Sequence, residues 1–214
     1  MTALGFAAPS KTEDGLLIRP MNEADVATVV RLHGAAFPDN FMTTFGRRFL
    51  RAFYAGLIAH PDGYGCVVAD STDRPVGFCV GGTGSAQKIA RTMLLRRPLS
   101  FLWPTTFNVL RSPRRLARVL KLARSYLTRT GSEEAPASSA LLMQIAVAED
   151  LRGGSAAEQL LAYFMEELRR RGATSVRLGV APDNARAKAF YRRIGFQELD
   201  AGTFERQLAA DPQS

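Results

Sequence analysis

Apolar positions recur along this chain with two periods, and the switches between them mark the elements. Val26, Val29, Val30 and His33 fall on one side at helical spacing. Asn22 precedes them as a capping residue, with Asp25 three positions on. This predicts a helix that stops near Phe37-Pro38. Phe45, Phe49, Leu50, Phe53, Leu57 and Ile58 repeat the helical spacing and predict a second helix over 41–59. Residues 65–70 and 76–80 are short apolar runs around Ser71-Thr72-Asp73-Arg74-Pro75, a hairpin pattern. A short strand over 16–20 ends at Pro20, and another covers 141–147.

The pattern beyond residue 150 is sharper. Ala157, Leu160, Leu161, Phe164 and Leu168 lie on one side of a helix over 155–171. Arg169, Arg170 and Arg171 close it, where cations suit the negative dipole end, and Gly172 fits a left-handed cap. Val176, Leu178 and Val180 alternate as a strand. Pro182-Asp183-Asn184 opens the next helix and Gly195 ends it, before two last strands over 196–199 and 204–208. Strands and helices thus interleave, the order of an α/β chain.

Length and composition narrow the class. The 214 residues suffice for one well-cored domain, expected over 15–210 after a loose tail at 1–14. No apolar run reaches the roughly 18 to 20 residues of a membrane span, and no secretory signal opens the chain, so a cytoplasmic protein is expected. Cys66 and Cys79 are the only cysteines and read as buried thiols; with two histidines, the chain offers no zinc pattern.

Charge changes the picture in one place. Between residues 86 and 130 there are eleven Lys or Arg and no Asp or Glu, against +8 for the whole chain, so the remainder is −3. The high pI describes one segment, and a nucleic-acid partner is not expected from it. Residues 86–131 read as a basic helical insertion between the third and fourth strands. Leu116, Val119, Leu120, Ala123 and Leu127 form an apolar stripe, with arginines on the rest. Three roles stay open for this insertion: a wall for an anionic acceptor, peripheral membrane contact, or a solvated face packing on the domain or on a second copy in a homodimer.

Candidate chemistry gathers after residue 144. Arg152-Gly153-Gly154-Ser155-Ala156-Ala157 places a cation, two glycines and then small side chains at a helix start. Such a start exposes unpaired N–H groups and the positive dipole end, and so binds phosphate; a plain strand-to-helix turn would use the same residues. No Gly-Lys-Ser/Thr closes it as a nucleotide loop, and the glycine spacing is not that of a dinucleotide fold. Gly81-Gly82-Thr83-Gly84-Ser85 is a second cluster, expected to be a flexible exit from the strand before it. Asn184 and Tyr191 are seven residues apart, nearly two helical turns, which puts both on one face about 10.5 Å apart along the axis.

Together these residues resemble the Gcn5-related N-acetyltransferases (GNAT), closely over 141–196 and loosely before. That family's acyl-coenzyme A motif falls on Arg152, with Ser155 where a glycine is usual and Ala157 at the last position. Asn184, Ala187, Tyr191, Gly195 and Phe196 match its later pattern. The resemblance implies a mixed, bent β-sheet flanked by helices and split between the fourth and fifth strands counted from Leu16. It implies acetyl-coenzyme A as donor, with no metal. Arg152, Gly153, Gly154, Ser155, Ala156 and Ala157 would hold its pyrophosphate, and Asn184 the chain-like arm. The backbone of Ile145, Ala146 and Val147 would pair with that arm and polarise the thioester. Tyr191 would protonate the departing thiolate. The acceptor implied is a primary amine on a small molecule or amino sugar. Alternatives are a protein or peptide amine, or binding of acyl-coenzyme A without turnover. Gln144 sits where some relatives place a glutamate, and no base is identified; Glu149, Asp150, His33 and Asp39 are candidates, each with a plainer structural role.

Overall fold

The computed structural model describes residues 8–12, 15–83, 138–200 and 202–208. Eight strands form one sheet in the order β1-β2-β3-β4-β5-β6-β8-β7. They are β1 (Ser10–Lys11), β2 (Leu17–Pro20), β3 (Gly63–Ala69), β4 (Pro75–Thr83), β5 (Ser139–Val147), β6 (Ser175–Gly179), β7 (Gln197–Asp200) and β8 (Thr203–Gln207). Every neighbouring pair is antiparallel except β5 and β6. The helices are α1 (Val26–Ala36), α2 (Phe41–Thr44), α3 (Arg47–Ile58), α4 (Ala156–Arg170) and α5 (Ala185–Arg193).

Helices cover both faces of the central strands, so successive residues of β3 and β4 are apolar and feed different cores. Val67, Phe78 and Val80 pack under α1 and α3 with Val29, Leu50, Tyr54 and Leu57. Cys66, Val68 and Cys79 pack on the other face with Leu160, Leu161 and Phe164 of α4. The two thiols lie opposite one another in register, both buried and reduced. Asn22 caps the turn before α1 as expected: it accepts from Ala24 N at 2.9 Å, and Asp25 accepts from Asn22 N at 2.9 Å. Gly172, at φ +85°, closes α4, with Ala173 N donating to Leu168 O at 3.0 Å.

Two irregularities make the split. First, β5 pairs with β6 only over Ser139–Leu141 against Ser175–Arg177, whereas it follows β4 as far as Val147. From Leu142 onward one edge of β5 has no strand beside it among the described residues. Second, the β4–β5 register slips, Gly81 facing Leu142 and Val80 facing Gln144, which leaves Met143 as an extra residue. Met143 and Gln144 therefore both turn toward α1 and α3, while Leu142 and Ile145 belong to the α4 face.

Three expectations are corrected. The single helix over 41–59 is two, because Gly46 takes φ +87° between α2 and α3. Gly81 and Gly82 are not a loose exit but part of β4: a Cβ on Gly81 would run into the Leu141 carbonyl, and one on Gly82 into that of Asp62. Ser10–Lys11, in the expected tail, pairs with β2 as a further edge strand; the segment expected to hold the insertion still lies between the two strands expected to flank it, here β4 and β5. Residues 86–131 themselves, with their expected basic helix and membrane or subunit contacts, lie outside the described residues. Among the described residues no helix is long and apolar enough to cross a membrane.

Candidate active site

The turn after β5 has the build its sequence suggests. Residues Glu149–Leu151 form one 3-10 turn, and Arg152 leaves it extended at φ −72°, ψ 129°. Gly153 reverses the chain at φ +93°, a conformation that side chains resist. Gly154 has only ordinary contact around its Cβ position, so its missing side chain is not required by space. Ser155 sits at φ −80°, ψ −15°, where any residue fits; a serine here in place of glycine carries no backbone strain. Its hydroxyl accepts from Gln159 Nε2 at 2.7 Å. The first bond into α4 runs from Gln159 N to Ser155 O at 3.0 Å. The amides of Ala156, Ala157 and Glu158 precede any intrahelical acceptor and carry the positive end of the dipole. Arg152 lies at the rim, 3.7 Å from Glu149.

Asn184 is the cap of α5 and not part of it: its carbonyl oxygen accepts from Ala187 N at 3.0 Å. Its backbone carbonyl accepts the first bond of α5, from Lys188 N at 3.1 Å. Asn184 is exposed and Tyr191 is 8% exposed. The Tyr191 ring is wedged among Phe190, Phe196 and Phe204, at centroid distances of 5.2, 5.5 and 6.2 Å. Ile145 and Val147 pack on this same core, and Ala146 on the opposite one. The phenol is thus held in the core on the α4 face of the sheet, beside Cys79. Burial, with a smaller contribution from Cys79, pushes its pKa well up, so it keeps its proton at any physiological pH. No hydrogen bond to its hydroxyl is found among the described residues.

The opposite face of β5 carries a polar cluster that the sequence left scattered. His33 and Tyr54 are both 0% exposed. His33 Nδ1 lies 2.6 Å from the Tyr54 hydroxyl and 2.9 Å from Gln144 Oε1, and Tyr54 donates to Gln144 Oε1 in a short bond. His33 Nε2 lies 3.1 Å from Thr43 Oγ1, which donates to Phe37 O at 2.7 Å. Gln144 Nε2 faces Met42 Sδ at 3.5 Å. Burial lowers the His33 pKa, partly opposed by Gln144, and burial raises that of Tyr54. Sequence reasoning named His33 and Gln144 but missed Tyr54 and Thr43. A usable signal existed: Tyr54 lies four residues from Leu50 and three from Leu57, a polar-tipped ring within an apolar stripe. Of the candidate bases, Glu149 and Asp150 are exposed on the turn and Asp39 is exposed beyond α1. A groove of about 740 Å³ lined by α4, the end of α5 and β8 includes neither Tyr191 nor the Arg152 to Ala157 turn.

Known proteins share this architecture. The chain is 20% identical to the solved structure of SsHAT, over 95% of this chain and 100% of that one, with a TM-score of 0.62. It is 19% identical to ribosomal-protein-alanine N-acetyltransferase from Brucella melitensis, covering 90% and 100%, at 0.57. It is 11% identical to PaiA N-acetyltransferase from Thermoplasma acidophilum, solved in complex with coenzyme A, covering 90% and 99%, at 0.56. No curated protein matches the chain. The model of the acetyltransferase (GNAT) family matches residues 26–196, most of the chain, and so the protein belongs to the GNAT family of acetyltransferases.

Proposed function

We propose that this chain is an N-acetyltransferase that moves the acetyl group of acetyl-coenzyme A to a primary amine of a small molecule or amino sugar by direct attack. What supports this is Tyr191, a buried phenol in the same core as Ile145 and Val147, the part of β5 that β6 leaves unpaired. A solved neighbour of the same fold holds coenzyme A.

The residues present fit that donor. The amides of Ala156, Ala157 and Glu158 offer donors to a pyrophosphate, Gly153 supplies the reversal, and Arg152 adds a cation at the rim. Asn184 spends its carbonyl on the cap, which leaves its amide N–H₂ for the pantetheine arm. The edge of β5 over Ile145, Ala146 and Val147 can pair with the amides of that arm as a strand would. The donor supplies an acyl group activated as a thioester. The free amine attacks its carbonyl, the C–N bond forms, and the oxyanion is held by backbone N–H near Val147. As the C–S bond breaks, the proton of Tyr191 passes to sulfur, and the proton lost by the attacking nitrogen goes to water and restores the phenol. Both Cys66 and Cys79 are buried opposite each other, so the path needs no acyl-enzyme on either.

The test is release of free thiol from acetyl-coenzyme A with a panel of small amines and amino sugars, alongside calorimetric binding of the donor. Turnover with at least one amine, and a Tyr191→Phe enzyme slowed about 100-fold with unchanged donor binding, is the expected result. Absent binding ends the enzyme reading; binding without turnover on any amine turns it into an acyl-coenzyme A-binding protein.

A further inference from the structure

The polar cluster on the α1 face of β5 has a proton count that ties two of its members together. Thr43 has one hydroxyl hydrogen, and its 2.7 Å approach to Phe37 O requires that hydrogen to lie between them. His33 Nε2, 3.1 Å from Thr43 Oγ1, must then be the donor to it. In the arrangement described, Gln144 Oε1 accepts from the Tyr54 hydroxyl and lies 2.9 Å from His33 Nδ1. That last contact needs a second ring hydrogen, so the arrangement belongs to imidazolium. In neutral imidazole, Nδ1 and Oε1 would meet lone pair to lone pair.

Turning the Gln144 amide end for end repairs the neutral form. Tyr54 then donates to His33 Nδ1, the Gln144 N–H₂ donates to the Tyr54 oxygen, and the Gln144 carbonyl turns outward. The other neutral tautomer would have Thr43 donate to His33 Nε2, leaving two oxygens 2.7 Å apart without a hydrogen between them. The groups facing His33 are Phe37 at the end of α1, Thr43 of α2, Tyr54 of α3 and Gln144 of β5. Among the described residues no carboxylate pairs with it. Among the described residues no full charge offsets the burial that lowers the His33 pKa, and neutral His33 is the resting form.

The outward end matters because of where it points. The β5 bulge turns Gln144 to this face, across the sheet from Tyr191, at the same unpaired stretch of edge. His33 and Tyr54 are fully buried, whereas Gln144 is only partly so; its second amide atom, Nε2, donates to Met42 Sδ at 3.5 Å, a weak bond that turning the amide gives up for a carbonyl at that position. We propose that Gln144 grips an N–H of the incoming amine with its carbonyl, and that His33, Tyr54 and Thr43 are positioning residues that turn the amide to do so. This rests on the acyltransfer reading above. Protonation of His33 draws the carbonyl inward and releases the amine, so acid weakens acceptor binding beyond the amine's own ionisation.

The test combines a proton readout with kinetics on the full chain. With only two histidines, ring nitrogen NMR resolves His33 from His60. Neutral His33 is expected as the Nε2–H tautomer, with the Gln144 side-chain amide resonances shifting at the same midpoint. The kinetic arm uses the best amine of the panel. Gln144→Leu should raise its KM about tenfold while the KM for acetyl-coenzyme A stays within twofold, about the effect of one lost hydrogen bond. Gln144→Glu, which keeps the shape, should hold His33 charged and move the acid inflection of kcat/KM upward. His33→Phe should raise the amine KM and abolish that inflection. An Nδ1–H tautomer, a Gln144 amide indifferent to His33, or an amine KM unmoved in both Gln144 variants overturns the proposal. Turnover with an uncoupled Gln144 removes this role alone; no turnover with any amine removes the acyltransfer reading and this role with it.

Discussion

The two faces of β5 are built in contrasting ways. On the α4 face, everything proposed to hold a donor comes from one continuous stretch: the turn after β5, the start of α4, and α5 with its cap Asn184. On the α1 face, four short elements each give one side chain, and the sequence separations are 10, 21 and 111 residues for the bonds of His33 to Thr43, Tyr54 and Gln144. A continuous device can be written as a local motif and is held mainly by backbone. A scattered one exists only after the sheet has formed, and is held by side-chain hydrogen bonds whose donors must balance.

The largest expected effect breaks both faces at once. Gly81→Ala drives a Cβ into the Leu141 carbonyl beside the bulge. It should cost about 3 kcal/mol and lower Tm by roughly 6 to 12 °C, measured by calorimetry. Next comes a change confined to the α4 face. Gly153→Ala forces an alanine to φ +93°, at about 1–2 kcal/mol, and should weaken donor binding about tenfold while leaving the His33 titration alone. The neighbouring Gly154→Ala is the control; its Cβ position has room, and stability should change by no more than about 0.5 kcal/mol.

The α1 face is separated by pH. The folded His33 value lies below the ordinary value of about 6.5, so as pH falls the unfolded chain takes up its proton first. The stabilisation is present above about pH 6.5 and is lost as pH falls through the folded value. Wild type should therefore lose Tm on acidification more steeply than His33→Phe, with donor binding at the turn following neither curve.

This contrast also explains what could be read without coordinates. The short apolar runs at 65–70 and 76–80 and the helical stripe of Leu160 to Leu168 place the central strands and α4, because buried strands and a one-sided helix each leave a recognisable pattern. Gly153 was legible as a turn residue because a reversal needs it. Gly46 and Gly81 were not: the first splits a stripe that stays periodic across the break, and the second serves an approach by Leu141, sixty residues away. Tyr54 and Thr43 read as ordinary helix residues, since their partners come from elsewhere in the fold. Asn184 was legible as the residue that opens α5, and it is the cap there.

The most direct measurement is the pre-steady-state release of coenzyme A thiol by wild type and Tyr191→Phe, with donor affinity measured on the same preparations. A buried phenol serving the leaving sulfur predicts a rate about 100-fold lower in the variant, with a donor Kd within twofold of wild type. Equal rates in the two proteins, or a loss explained wholly by weaker donor binding, would contradict it.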